Sequence, residues 1–118
     1  KLKIHKVTVA GDVGPIINLS SAENQCEGSV IDGLSTALGL EISIKNGRIQ
    51  ESNFDKYPIM RIGDAPEVAV YFVESNVHPT GLGEPALPPL APALCNAIFD
   101  ASGHRVRELP LVKEGFTV

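Results

Sequence analysis

The sequence has no tryptophan and few aromatic residues, four phenylalanines and two tyrosines among 118 residues, so any core must be built from Val, Ile, Leu and Ala. It has two cysteines, Cys26 and Cys95, neither in a CxxC pair, and three scattered histidines, His5, His78 and His104. No zinc-type ligand spacing arises from these, and the residues predict no protein-ligated metal. The cysteines fall at interior-looking positions of two predicted helices and read as buried thiols, while the histidines read as surface or loop residues. Basic residues are outnumbered, 10 against 14, giving a net charge of −4 and no basic stripe, which excludes nucleic acid as a partner. No apolar run approaches the roughly 20 residues needed to span a bilayer, and the first residues lack the order of a signal peptide. An export signal would lie upstream of Lys1, which leaves the compartment open between cytoplasm and periplasm. Internal repeats and low-complexity segments are absent.

What remains fits one domain over residues 1–118. Residues 1–10 alternate and end in Val7, Thr8 and Val9, which predicts a strand broken by Gly11-Asp12-Val13-Gly14-Pro15. That turn lacks the GxGxxG or GxxxxGK spacing of a phosphate loop. Ser20 and Glu23 form a capping box that predicts a helix start, with Cys26, Val30, Leu34, Ala37 and Leu38 as its apolar stripe and Gly39 as its C-terminal cap. On another face, Gln25, Gly28 and Asp32 project together. Gly28 and Gly33 each weaken the helix by about 1 kcal/mol relative to alanine, which predicts that a backbone or a ligand comes close. Gln25 itself is open to two readings, solvated or contacting a ligand.

Residues 40–45 and 48–52 flank Asn46-Gly47, the strongest short hairpin signal in the chain. Residues 53–65 hold no period and predict an irregular surface segment. Residues 67–74 are apolar on both faces, as expected of a central strand covered on both sides. From Leu90, the apolar positions Leu94, Ala97, Ile98 and Ala101 recur at helical spacing, with Pro88, Pro89 and Pro92 near the first turn and Gly103 as a left-handed cap. Residues 104–111 read as an edge strand. The fold class is α+β: a mostly antiparallel sheet with two packed helices, in the order β-α-β-β-β-α with a final strand available.

Between the last strand and that helix lies GLGEP, with Glu84 between Gly83 and Pro85. The glycines permit close backbone approach and Pro85 fixes the exit direction. Spacing alone leaves Glu84 two roles, a cap for the coming helix or a carboxylate presented to a partner.

Three ordered blocks bear on that choice: QCEGSVIDGLSTAL from Gln25, NGRIQESNFDKYPIMRIGDAPEV from Asn46, and GLGEPALPPLAPALCNAIFDASGHRVRELPL from Gly81. Together with the closing GFTV, the chain resembles the C-terminal segment of the molybdenum-binding subunit of the xanthine dehydrogenase and aldehyde oxidase superfamily, and within it the isoquinoline 1-oxidoreductase beta-subunit branch. The resemblance implies a fragment of a molybdenum hydroxylase, which inserts water-derived oxygen into a C–H bond of an aldehyde or N-heterocycle. It implies a molybdopterin cofactor with molybdenum, in a dinucleotide form, and iron–sulfur clusters on a partner subunit. Glu84 matches the general base and Gln25 matches the glutamine that contacts the pterin, while Gly28 and Gly83, where the backbone allows close approach, are added as candidate cofactor-binding positions. The Asp12-Val13-Gly14 turn resembles one that precedes the cofactor-reaching helix. The partners implied are the remainder of the molybdenum subunit, the iron–sulfur subunit and a small substrate. A fragment without those parts is expected to be inactive. Two alternatives stay open: a noncatalytic assembly module docking through residues 53–66, and a small-ligand-binding domain.

Overall fold

Along the chain of the computed structural model, which describes residues 1–117, the regular elements are β1 (Lys6–Gly11), α1 (Leu19–Gly39), β2 (Ile44–Lys45), β3 (Arg48–Ile49), β4 (Glu67–Phe72) and α2 (Leu90–Ser102). Short 3-10 turns occupy Phe54–Lys56 and Leu111–Glu114. Helices and small sheets together make an α+β fold.

The sheet departs from expectation. β1 and β4 pair in parallel, in register from Lys6 opposite Glu67 to Gly11 opposite Phe72, and the antiparallel ladder is confined to β2 and β3. Alternating apolar residues mark a strand and the face it buries, but the direction of its partner is set by the connection, and here the connection passes through α1. Nor is β4 a central strand among the described residues: β1 is its one neighbour there, Val68, Ala69 and Val70 are half-buried, and Tyr71 and Val73 are exposed.

The hairpin forms at Asn46-Gly47, with φ of 51° and 74°, the paired left-handed conformations of a type I′ turn. Its strands are shorter than the flanking alternation predicts, with Ile44 opposite Ile49 and both exposed. Below them the Ser43 amide and hydroxyl donate to the Glu51 carboxylate at 2.6 and 2.7 Å.

α1 begins two residues earlier than the Ser20 box implies. Asn18 has extended backbone, and its Oδ1 accepts the Ser21 amide at 2.9 Å, so Asn18 is the cap and Ser20 and Glu23 lie inside the helix. Asparagine caps as well as serine does, and the Ser-x-x-Glu spacing is also one helical turn. Gly39 is the last helical residue, followed by an extended Leu40. The apolar stripe is as expected, with Val30 and Leu34 fully buried against Leu90, Leu94 and Ile98 of α2. Gly33 accounts for the closeness of that packing: a Cβ there would stand 2.8 Å from Leu90 Cδ2.

α2 starts after Pro89 without a side-chain cap and is closed by Gly103, whose φ of 74° and N–H, donating to the Phe99 carbonyl, complete the expected left-handed cap. Its buried stripe is narrower than predicted, since Ala97 and Ala101 are exposed. Residues 104–110 form no strand. The Glu114 carboxylate takes the amides of Arg107 and Glu108 at 2.5 and 2.6 Å, so donors that a ladder would need bond to a side chain instead. Residues 53–66 are irregular, as expected, apart from the one 3-10 turn, and expose Phe54 and Ile62.

Candidate functional site

The loop carrying Glu84 is held from below. Ala86 and Leu90 are buried, and successive turns, from the Leu87 amide to the Glu84 carbonyl at 3.0 Å and from the Leu90 amide to the Leu87 carbonyl at 3.2 Å, carry the chain into α2. Glu84 and Pro85, just ahead of these anchors, are exposed. Among the described residues nothing bonds to the Glu84 carboxylate, and the start of α2 has no side-chain cap. Of the two roles the spacing left open, capping is therefore not the one adopted.

The chain before the loop is fixed by the Asp12 turn. Asp12 Oδ1 accepts the Gly14 amide at 3.2 Å and the Ser75 hydroxyl at 2.5 Å, and the Thr80 amide donates to the Val13 carbonyl at 3.1 Å. Gly14 has φ of 78°, and a Cβ on it would come 2.6 Å from the Val77 carbonyl oxygen. Only glycine fits. The turn thus pins the segment that delivers residues 80–84.

On the other side, α1 lies against the loop. The Ser29 hydroxyl donates to the Gly83 carbonyl, and Gln25 Oε1 is 3.5 Å from where a Cβ on Gly83 would project. Gln25, Gly83 and Glu84 are thus brought to one place. Gly28 is not in that contact: it is exposed, and a Cβ there would meet nothing within 4 Å. The close approach predicted at both helix glycines is therefore made within the chain at Gly33, while Gly28 leaves bare backbone facing outward beside Gln25. Thr80, Gly81, Gly83, Glu84, Pro85 and Pro88 line an open depression in front of the carboxylate.

Ser29 escaped the sequence reading. Its signal was a hydroxyl one turn after Gln25, set between the apolar positions Cys26 and Val30 where a polar side chain needs a partner. Cys26, next to Gln25, is buried, and burial pushes its thiol up, so it stays protonated. Cys95 is half-buried and its thiol is likewise raised, by burial first and then by the Glu114 charge. No group of three His, Cys, Asp or Glu side chains gathers among the described residues. No helix there is long and apolar enough to cross a membrane.

Residues 1–66, which contain Gln25 and Gly28, match the molybdopterin cofactor-binding domain family. The chain is 39% identical, over 90% of its length and 14% of the relative's, to a protein named membrane-bound aldehyde dehydrogenase (pyrroloquinoline-quinone) of Gluconacetobacter polyoxogenes. It is 34% identical to isoquinoline 1-oxidoreductase subunit beta of Brevundimonas diminuta, over 93% of this chain and 14% of that one. Matches this long take in the Glu84 loop. The fold superposes with a TM-score of 0.81 on quinoline 2-oxidoreductase from Pseudomonas putida 86, at 21% identity, over 92% of this chain and 15% of that one; this is a likeness of fold alone. The chain therefore spans about 14% of the length of these curated relatives. With the family matched over more than half of its residues and such relatives along nearly all of it, the chain belongs to the molybdopterin cofactor-binding domain family.

Proposed function

We propose that residues 1–118 are a single domain, the C-terminal part of the molybdenum-binding subunit of a molybdenum hydroxylase, and that Glu84 is its general base. The observation that carries this reading is a carboxylate with no partner among the described residues, on a loop fastened on two sides and adjoining Gln25. An exposed carboxylate held in place but left uncommitted is arranged for a partner outside the chain. The residues fit the cofactor. Gln25 offers both a donor and an acceptor to a pterin edge, and Gly28, with no neighbour above it, allows a flat ring system close to the helix backbone.

Bound, the molybdenum cofactor supplies the water-derived oxygen and takes up the electrons of the substrate C–H bond. This chain contributes the proton acceptor: a carboxylate oxygen of Glu84 receives the proton from the attacking oxygen and thereby strengthens the nucleophile. The water exclusion that makes a carboxylate an effective base would come from the remainder of the subunit closing over the depression. The exposed Phe54, Ile59 and Ile62 support residues 53–66 as a face packed against that remainder. The iron–sulfur subunit would carry electrons away, the cofactor would be a dinucleotide form, and the substrate would be an aldehyde or an N-heterocycle, in keeping with the names of the two relatives.

The test is Glu84→Gln in the complete subunit. Turnover should fall at least about a hundredfold, the lower range for removing a general base, with molybdenum content unchanged. Activity within a factor of a few of wild type would remove Glu84 from the mechanism.

A further inference from the structure

The Glu84 loop has glycines at positions 81 and 83, which by themselves leave the carboxylate free to swing. On the side facing α1, its side-chain tether is the Ser29 hydroxyl. Ser29 is 4% exposed, so its hydroxyl has no water to bond and must find a protein acceptor. That acceptor is the Gly83 carbonyl, 54 residues away in sequence. The carbonyl belongs to the same rigid peptide plane as the Glu84 amide. Fixing it fixes the axis about which Glu84 turns, and Pro85 restricts the backbone of Glu84 from the other side. One turn earlier on the same face of α1 lies Gln25, against Gly83. A helix that touches the cofactor through Gln25 therefore also sets, through Ser29, where the carboxylate stands.

We propose that Ser29 is a positioning residue, whose hydroxyl bond to the Gly83 carbonyl aligns Glu84 for proton acceptance. The inference rests on Glu84 being the base. It requires the hydroxyl and not merely a small side chain at this position.

The experiment uses the complete molybdenum subunit loaded with its cofactor, with Ser29→Ala, Ser29→Cys, Glu84→Gln and the Ser29→Ala/Glu84→Gln pair. Ser29→Ala should lower kcat about tenfold with KM little changed, because alignment and not binding is lost. Molybdenum content should stay at the wild-type level. Hydrogen exchange followed by mass spectrometry should show faster exchange in the peptide covering residues 80–87 and unchanged protection in the segment around Val30 and Leu34. Ser29→Cys, close in size and a weaker donor, should fall between wild type and Ser29→Ala in both readouts. The paired variant should lose no more activity than Glu84→Gln alone, since Ser29 acts through that carboxylate. Unchanged loop exchange together with unchanged kcat in Ser29→Ala overturns the proposal. So does a loss of molybdenum with loosening of α1 as a whole, which would make Ser29 structural. If Glu84→Gln stays active while Ser29→Ala frees the loop, the base assignment fails and the tether alone survives.

Discussion

Glu114 shows how one side chain can replace a strand. Its carboxylate collects the backbone amides of Arg107 and Glu108 and then the His104 ring, and these donors hold it at about 2, well below the usual carboxylate value of 4.5. Because its pKa is depressed on folding, the stability it contributes is present above about pH 4.5 and is lost as pH falls from there toward about 2. Urea midpoints measured between pH 5 and pH 2.5 should therefore drop more steeply for the wild-type chain than for Glu114→Gln. Parallel profiles would show that the cluster adds nothing. Not one of these partners could be named from sequence, since residues 104–111 alternate like a strand and a side-chain acceptor three residues past their end leaves no mark on that pattern. Glu84, by contrast, was singled out by the family blocks around it and not by its tripeptide, which spacing alone left open between a cap and a presented carboxylate. That no described residue bonds to its carboxylate could not be read there, because absence of contact is a property of the fold.

Elements were legible where the local chemistry of a turn or a stripe decides them. Asn46-Gly47 specified its hairpin, the heptad-like run from Cys26 to Leu38 specified the buried face of α1, and Gly103 specified the end of α2. Where two local signals compete the outcome was hidden, as at the start of α1, where Asn18 caps in place of Ser20. Asn18→Ala should accordingly cost about 1 kcal/mol by denaturant unfolding and Ser20→Ala much less. Equal effects would restore the capping box. The two helix glycines separate in the same way. Gly28→Ala meets open space and should stabilise the chain by up to about 1 kcal/mol, while Gly33→Ala pushes against Leu90 and should gain nothing or lose stability. If Gly28 is also where a pterin lies, the alanine that steadies the free helix should reduce molybdenum retention in the complete subunit, and unchanged retention would place the cofactor elsewhere.

Across the whole molecule, the chain spreads over 50 × 36 × 26 Å with a radius of gyration of 16.1 Å, wider than the roughly 13.5 Å of a compact domain of this length. The excess goes with a short sheet, a projecting hairpin and large apolar side chains in the open, among them Ile17, Phe54 and Ile62. Strand direction was illegible at this scale because residues 53–66 separate the helical crossover from β4 and hide the β-α-β order within a longer string of elements. The isolated chain should be only marginally stable and should turn over neither aldehydes nor N-heterocycles. Measurable hydroxylation by the fragment alone would contradict the second expectation, and a urea midpoint as high as that of a compact domain of this length the first.

The parallel pairing sets an order of events during synthesis. Lys6 and Glu67, bridged at one end of the pair, are 61 residues apart. As the polypeptide leaves the ribosome, β1 emerges before its partner β4, and the segment bearing Glu84 appears later still. The helix face that awaits this segment, with Gln25 and Ser29 on it, has been synthesised when it arrives, so the carboxylate is seated against residues made well before it.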